Sequence, residues 1–139
     1  MSDIIGIYNS IANMTVGSVK SRDVDQVRLA VKDSDLPCRM LLPSTSGEME
    51  FIALGNLQNM NWAIRDLCLF APMTKGKGIE SFSKAMVEYL DLYMKEIKEN
   101  RNPTPLSNIV GVEVQMGPVK WGDETYWAID IVLTVGEIL

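Results

Sequence analysis

The sequence predicts an α+β fold: a two-layer sandwich in which an antiparallel sheet of about four strands carries a long helix on one face, with a short helix at the N-terminus. Three observations point there. Residues 79–99 repeat apolar side chains at steps of three and four, the period of one helical face. Residues 109–116 and 125–135 alternate apolar with polar side chains, the period of half-buried strands. A helix with one apolar stripe and strands with one apolar face bury both by stacking in two layers. The 139 residues, 47% hydrophobic and 22% charged, are enough for a single domain, 1–139, with its own core.

Ile4, Ile7, Tyr8 and Ile11 fall at i, i+3, i+4 and i+7, so residues 3–12 read as a short amphipathic helix with Ser2 or Asp3 as N-cap. Residues 18–35 fit neither period. Leu36 to Pro43 is a short apolar run bracketed by prolines, which predicts an edge strand. Ser44 to Asn61 holds turn residues at both ends around Phe51, Ile52 and Leu54, and reads as a long loop or an irregular hairpin. From Asn61 to Phe70, Trp62, Ile64, Cys68 and Phe70 share one face and Ala63, Leu67 and Leu69 the other, as in a strand covered on both sides. Ile79, Phe82, Met86, Leu90, Tyr93 and Ile97 form the stripe of the long helix. Lys95, Lys98 and Arg101 lie near its end, and Asn102-Pro103 and Pro105 stop it. Val110, Val112, Val114 and Met116 then alternate with Glu113 and Gln115, and Trp127, Ile129, Ile131, Leu133 and Val135 alternate with Asp130 and Thr134. Gly117 to Glu124 reads as the connection between these two strands.

Composition narrows the chemistry. The chain has no histidine, which excludes Ser-His and Cys-His catalytic pairs and any His-ligated metal. Two cysteines, Cys38 and Cys68, are too few for a four-Cys zinc site, and buried free thiols are the expectation. A net charge of −5, with the basic residues scattered, disfavours nucleic-acid binding. The longest apolar runs, Leu67 to Pro72 and Ile131 to Val135, fall far short of a membrane span, so no membrane partner is expected. The first residues show no secretory pattern, and synthesis in the cytoplasm is expected.

Several residues stand out as candidates. Lys75 and Lys77 sit in Thr74-Lys75-Gly76-Lys77-Gly78, just before the long helix, but the phosphate-loop pattern is missing and an exposed connection explains them. Asp33 with Asp35, Glu48 with Glu50, and Asp123 with Glu124 are paired carboxylates in turn-like sequence, best read as solvated. Asp66 and Asp130 each interrupt an apolar strand, where an edge or interface position accounts for them. Met86 and Met94 are read as core filling. Trp121, beside Gly122 and Asp123, either folds back over the sheet or anchors an interface.

The element order, the segment Asp35-Leu36-Pro37-Cys38-Arg39 leading into a strand that ends at Pro43, the Trp62-Ala63-Ile64 strand and a glycine-bearing loop before the long helix together resemble the tail terminator proteins of long-tailed bacteriophages. The resemblance implies a non-enzymatic virion protein, made in the host cytoplasm and free of cofactors and catalytic or metal-binding residues. It implies a subunit that self-assembles into a ring, commonly a hexamer. Such a ring caps the finished tail tube and presents a surface to a head-tail connector protein. Trp121, Asp123, Lys75, Lys77, Phe51 and Ile52 are the interface candidates. A different reading is a dimeric small-molecule binding module with a pocket lined by Trp62, Trp127 and Tyr93.

Overall fold

The computed structural model describes residues 3–17, 19–22, 36–42, 46–51, 58–73 and 82–138. Helix α1 (Ile4–Ala12) begins at Asp3, whose carboxylate accepts the Gly6 N–H at 3.1 Å. A Cβ at residue 6 would push that capping carboxylate aside, so glycine there keeps the cap in place. The predicted stripe is the buried one: Ile7 and Ile11 are fully enclosed, with Ile4 and Tyr8 packed beside them.

The sheet is built on three long strands. Strand β4 (Gln58–Pro72) lies antiparallel to β6 (Glu124–Ile138), which lies antiparallel to β5 (Ser107–Trp121). On its other side β4 takes two short partners end to end. Strand β3 (Ser46–Phe51) pairs with residues 58–63, and β2 (Cys38–Leu41) pairs with residues 66–69. Strand β1 (Lys20–Arg22) lies parallel to β2, giving the order β1-β2-β4-β6-β5 with β3 beside β4. The predicted antiparallel four are β2, β4, β6 and β5, and the α+β class stands; β1 and β3 extend the sheet.

Two boundaries differ from the sequence reading, and one region falls to one of its two alternatives. The strand at residues 38–41 is not at the edge, since β1 covers its outer side; Pro37 precedes the ladder, so it leaves that side open to pairing. Residues 44–61, read as a long loop or an irregular hairpin, take the hairpin alternative, with Phe51 opposite Gln58. The connection between β5 and β6 is only Gly122-Asp123, because Gly117 and Pro118 sit inside the β5 ladder. A peripheral strand tolerates proline, which has no N–H to lose from its outer edge. Gly122 has φ 62°, as the first central position of a type II′ turn requires.

Helix α2 (Ser83–Glu99) buries Met86, Tyr93 and Ile97 as predicted, and Tyr89 widens the stripe. Residues 79–81, predicted to begin it, lie outside the described residues. Met94 is not core filling: it is 42% exposed, because it falls one position beyond Tyr93 on the helical wheel. Both helices pack on one face of the sheet, against Ile64, Cys68, Phe70, Ile129, Ile131, Leu133 and Val135. The opposite face buries Cys38, Met40, Leu42, Leu67, Leu69, Tyr126 and Ala128. Strand β4 is thus apolar on both sides, as its sequence predicts.

A bulge between Ile109 and Gly111 breaks the alternation of β5. Val110 is thereby 58% exposed, while Val112 and Val114 remain partly buried against the core.

Candidate functional site

The most concentrated group of polar atoms in the core lies between β2, β4 and the two helices. Strand alternation turns Arg39 and Asp66 toward the helices, and both residues are 1% exposed. Arg39 Nε donates to Asp66 Oδ1 and Oδ2 at 3.0 and 3.0 Å, and Nη2 donates to Oδ2 at 2.8 Å. The rest of the guanidinium is spent on α1 and the turn after it: Nη2 donates to the Ile11 carbonyl at 2.7 Å and Nη1 to the Met14 carbonyl at 2.8 Å. Tyr93 of α2 donates its hydroxyl to Asp66 Oδ2 at 2.7 Å, and its ring centroid lies 5.8 Å from the guanidinium carbon. A buried charge is tolerated only when it is paired and its remaining donors are satisfied. Arg39 is paired and donates from all three of its nitrogens, and it ties the end of α1 to the sheet.

The electrostatics make this group chemically quiet. Burial alone would lower the Arg39 pKa, but the Asp66 charge and hydrogen bonds outweigh it and hold the guanidinium above its ordinary value. Burial, with the Asp66 charge next, pushes the Cys68 thiol and the Tyr93 phenol well up. Tyr89 is raised by burial and then by Cys68. No described group completes a well-formed hydrogen bond to the Tyr89 hydroxyl, and the Cys68 sulfur, a weak acceptor, is the polar neighbour that bears on it. A neutral thiol, neutral phenols and an ion pair with occupied oxygens provide no activated nucleophile.

Glu137 fixes the other end of α1. Its buried carboxylate accepts the Asp3 N–H at 2.6 Å through Oε2 and the Trp62 indole N–H at 3.4 Å through Oε1.

These positions settle several candidates. Asp66 is neither an edge nor an interface residue; the alternation of β4 sends it into the core. Asp130 faces the opposite side of the sheet, where Arg65 Nε donates to Oδ1 at 2.9 Å, so the two carboxylates cannot work as a pair. Cys38 and Cys68 belong to the clusters on opposite faces, and both are free thiols. Glu48 and Glu50 lie in β3, and Asp33 and Asp35 are outside the described residues. Among the described residues no three His, Cys, Asp or Glu side chains gather as a metal site would need. No described helix is long and apolar enough to cross a membrane.

Trp121 folds back over the sheet, packing with Val119 against the cluster of the second face, while Asp123 is exposed at the tip of the hairpin. Phe51 lies at the far end of the sheet: it pairs with Gln58, next to the Asn59 to Ile138 pair, whereas Trp121 pairs with Glu124. Fourteen strand residues separate positions 138 and 124 of β6, about 48 Å, so Phe51 and Trp121 do not share one contact surface. Ile52, Lys75 and Lys77 lie outside the described residues. Trp62 and Trp127 are likewise separated along the sheet, at the β6 positions 135 and 127, about 27 Å apart. Tyr93 between the helices and the sheet is fully buried with its hydroxyl on Asp66, so the three aromatics do not line one pocket.

The roles of Arg39 and Glu137 escape the sequence reading. Arg39 and Asp66 did leave a signal, since each is a charge of opposite sign placed inside an apolar strand.

Of the sheet edges that no described strand covers, on β1, β3 and β5, the outer edge of β5 belongs to the longest strand. The strand is hydrogen-bonded to β6, and among the described residues no strand pairs with its other side. Val110, Glu113, Gln115, Met116, Pro118 and Lys120 are exposed along it. No protein-family model matches the chain, and no curated protein is significantly similar to it in sequence.

Proposed function

We propose that this chain is a non-enzymatic structural subunit that assembles with copies of itself into a ring, in the manner of a phage tail terminator. In that role the ring, a hexamer in the simplest case, caps the tail tube and presents a joining surface to a head-tail connector protein within the virion. The observation that carries the reading is the outer edge of β5 beyond Ile109, which no described strand pairs and along which apolar Val110 and Met116 are exposed; before it, the Ile109 N–H and the Ser107 carbonyl are already taken by Arg101 and Asn102. A long unpaired edge is a template for another chain. Head-to-tail use of two different surfaces closes a ring when the rotation permits. The satisfied charges of the core fit a subunit whose polar interior holds its shape.

The neighbouring reading frames test the proposal most cheaply. Genes for a major tail tube protein and a chain of tape-measure length are expected beside this one, and metabolic neighbours would remove the reading. With purified tubes, electron micrographs are expected to show one ring on the tube end, and bare ends at saturating protein would contradict the proposal.

A further inference from the structure

We infer that the free chain pairs with a second copy of itself along β5, antiparallel, about a two-fold axis at Val114. The phase of the hairpin decides which backbone groups are available. A two-residue turn makes Trp121 and Glu124 a hydrogen-bonded pair, and bonded and non-bonded pairs alternate along an antiparallel ladder. The odd residues from 121 back to 111 therefore spend their N–H and C=O groups on β6. Val112, Val114, Met116 and Lys120 direct theirs to the open side, and Pro118 has no N–H to offer there. Pro118 limits the usable edge on one side and the bulge at Ile109/Gly111 limits it on the other, leaving residues 112–116.

That segment is complementary to itself about Val114. Val112 of one copy then lies opposite Met116 of the other, and Val114 opposite Val114, joining apolar side chains on the helix-bearing face. On the other face Glu113 of one copy meets Gln115 of the other, so an exposed carboxylate finds an amide donor. Neighbouring registers are worse. Moving the axis one residue toward the N-terminus sets Glu113 directly against its own copy, and moving it one residue toward the C-terminus sets Val112 opposite Pro118. Each copy carries a net charge of −5, so added salt strengthens the dimer by screening. For the ring proposed above, the consequence is that a paired copy has its β5 edge occupied and must open before that edge joins a ring wall.

The test uses the full chain alone, so its outcome is independent of tail tubes and of gene neighbours. Val114→Cys places two thiols across the axis at a Cα separation of about 5.5 Å, within disulfide reach. The native Cys38 and Cys68 are buried and do not compete. Mild oxidation is expected to give a covalent dimer for Val114→Cys and none for Lys120→Cys, whose two copies lie far apart in this register. Gln115→Glu sets carboxylates against each other and is expected to weaken the wild-type dimer about tenfold at low salt, with recovery at high salt. A Val114→Cys chain that stays monomeric, equal cross-linking at Lys120→Cys, or a Gln115→Glu dimer of wild-type affinity would each overturn the pairing.

Discussion

Two arginine–aspartate pairs begin at adjacent residues of β4 and go opposite ways. Asp66 turns inward to Arg39 at 2.8 Å, with side chains 0% and 1% exposed, while Arg65 turns outward to Asp130 at 2.9 Å, with side chains 31% and 17% exposed. The contact distances are nearly the same, but the surroundings are not. The inner pair is enclosed by both helices, shares Tyr93 and two carbonyls of the α1 region, and leaves none of its charge to water. The outer pair spans neighbouring strands at the edge of solvent, where water and salt compete with it. Burial, rather than geometry, decides what each pair does: the first fixes where the helices sit, and the second adds a small local contact.

The comparison breaks most readily at Asp66. Asp66→Asn removes the charge but leaves Arg39 buried, and is expected to cost about 3–5 kcal/mol in urea unfolding. A loss under 1 kcal/mol would mean that the inner pair is no stronger than the outer one. Tyr93→Phe keeps the ring and deletes one hydrogen bond to a carboxylate, for an expected loss of about 2 kcal/mol by the same measurement.

Alkaline pH sharpens the same contrast. Folding raises the Cys68 pKa, so the folded state keeps a proton that the unfolded chain releases above about pH 8.5. Stability is therefore complete below that pH and falls as pH rises beyond it, by about 1.4 kcal/mol per pH unit while only the unfolded thiol ionises. Tyr89 and Tyr93 add to the fall above about pH 10. Denaturation series between pH 8 and 10 are expected to show Cys68→Ala with a flatter slope, the difference growing toward about one proton near pH 10. The smallest effect belongs to Asp130→Asn, expected to cost less than about 1 kcal/mol and to cost less still in high salt.

Much of this architecture was legible because periodicity reports burial directly. The stripe Ile4, Ile7, Tyr8 and Ile11 marked α1, and the two-sided apolar pattern of β4 announced a sheet buried on both faces. Strand pairing was less legible: β1 has only three residues, too few for a period, and holds its place through residues 38–40, while the six residues of β3 pair with the start of β4 across turn-like sequence. Gly117 and Pro118 suggested a turn because composition does not distinguish a turn from a peripheral strand. The inner charge cluster was half visible. Asp66 drew notice as a charge in an apolar run, but its partner could be named only once β2 and β4 were in register, with Arg39 opposite Cys68. The open β5 edge was invisible to periodicity, since an edge is defined by the strand that does not lie beside it.

The central claim is that the charge buried between β2, β4 and the helices serves the fold. Paired double-mutant cycles on Arg39 with Asp66 and on Arg65 with Asp130 test it in a single set of urea melts. The account predicts a coupling of about 2–3 kcal/mol for the inner pair and below about 1 kcal/mol for the outer one. An inner coupling at or below the outer one would contradict it, and would return Asp66 to the candidates for a functional carboxylate.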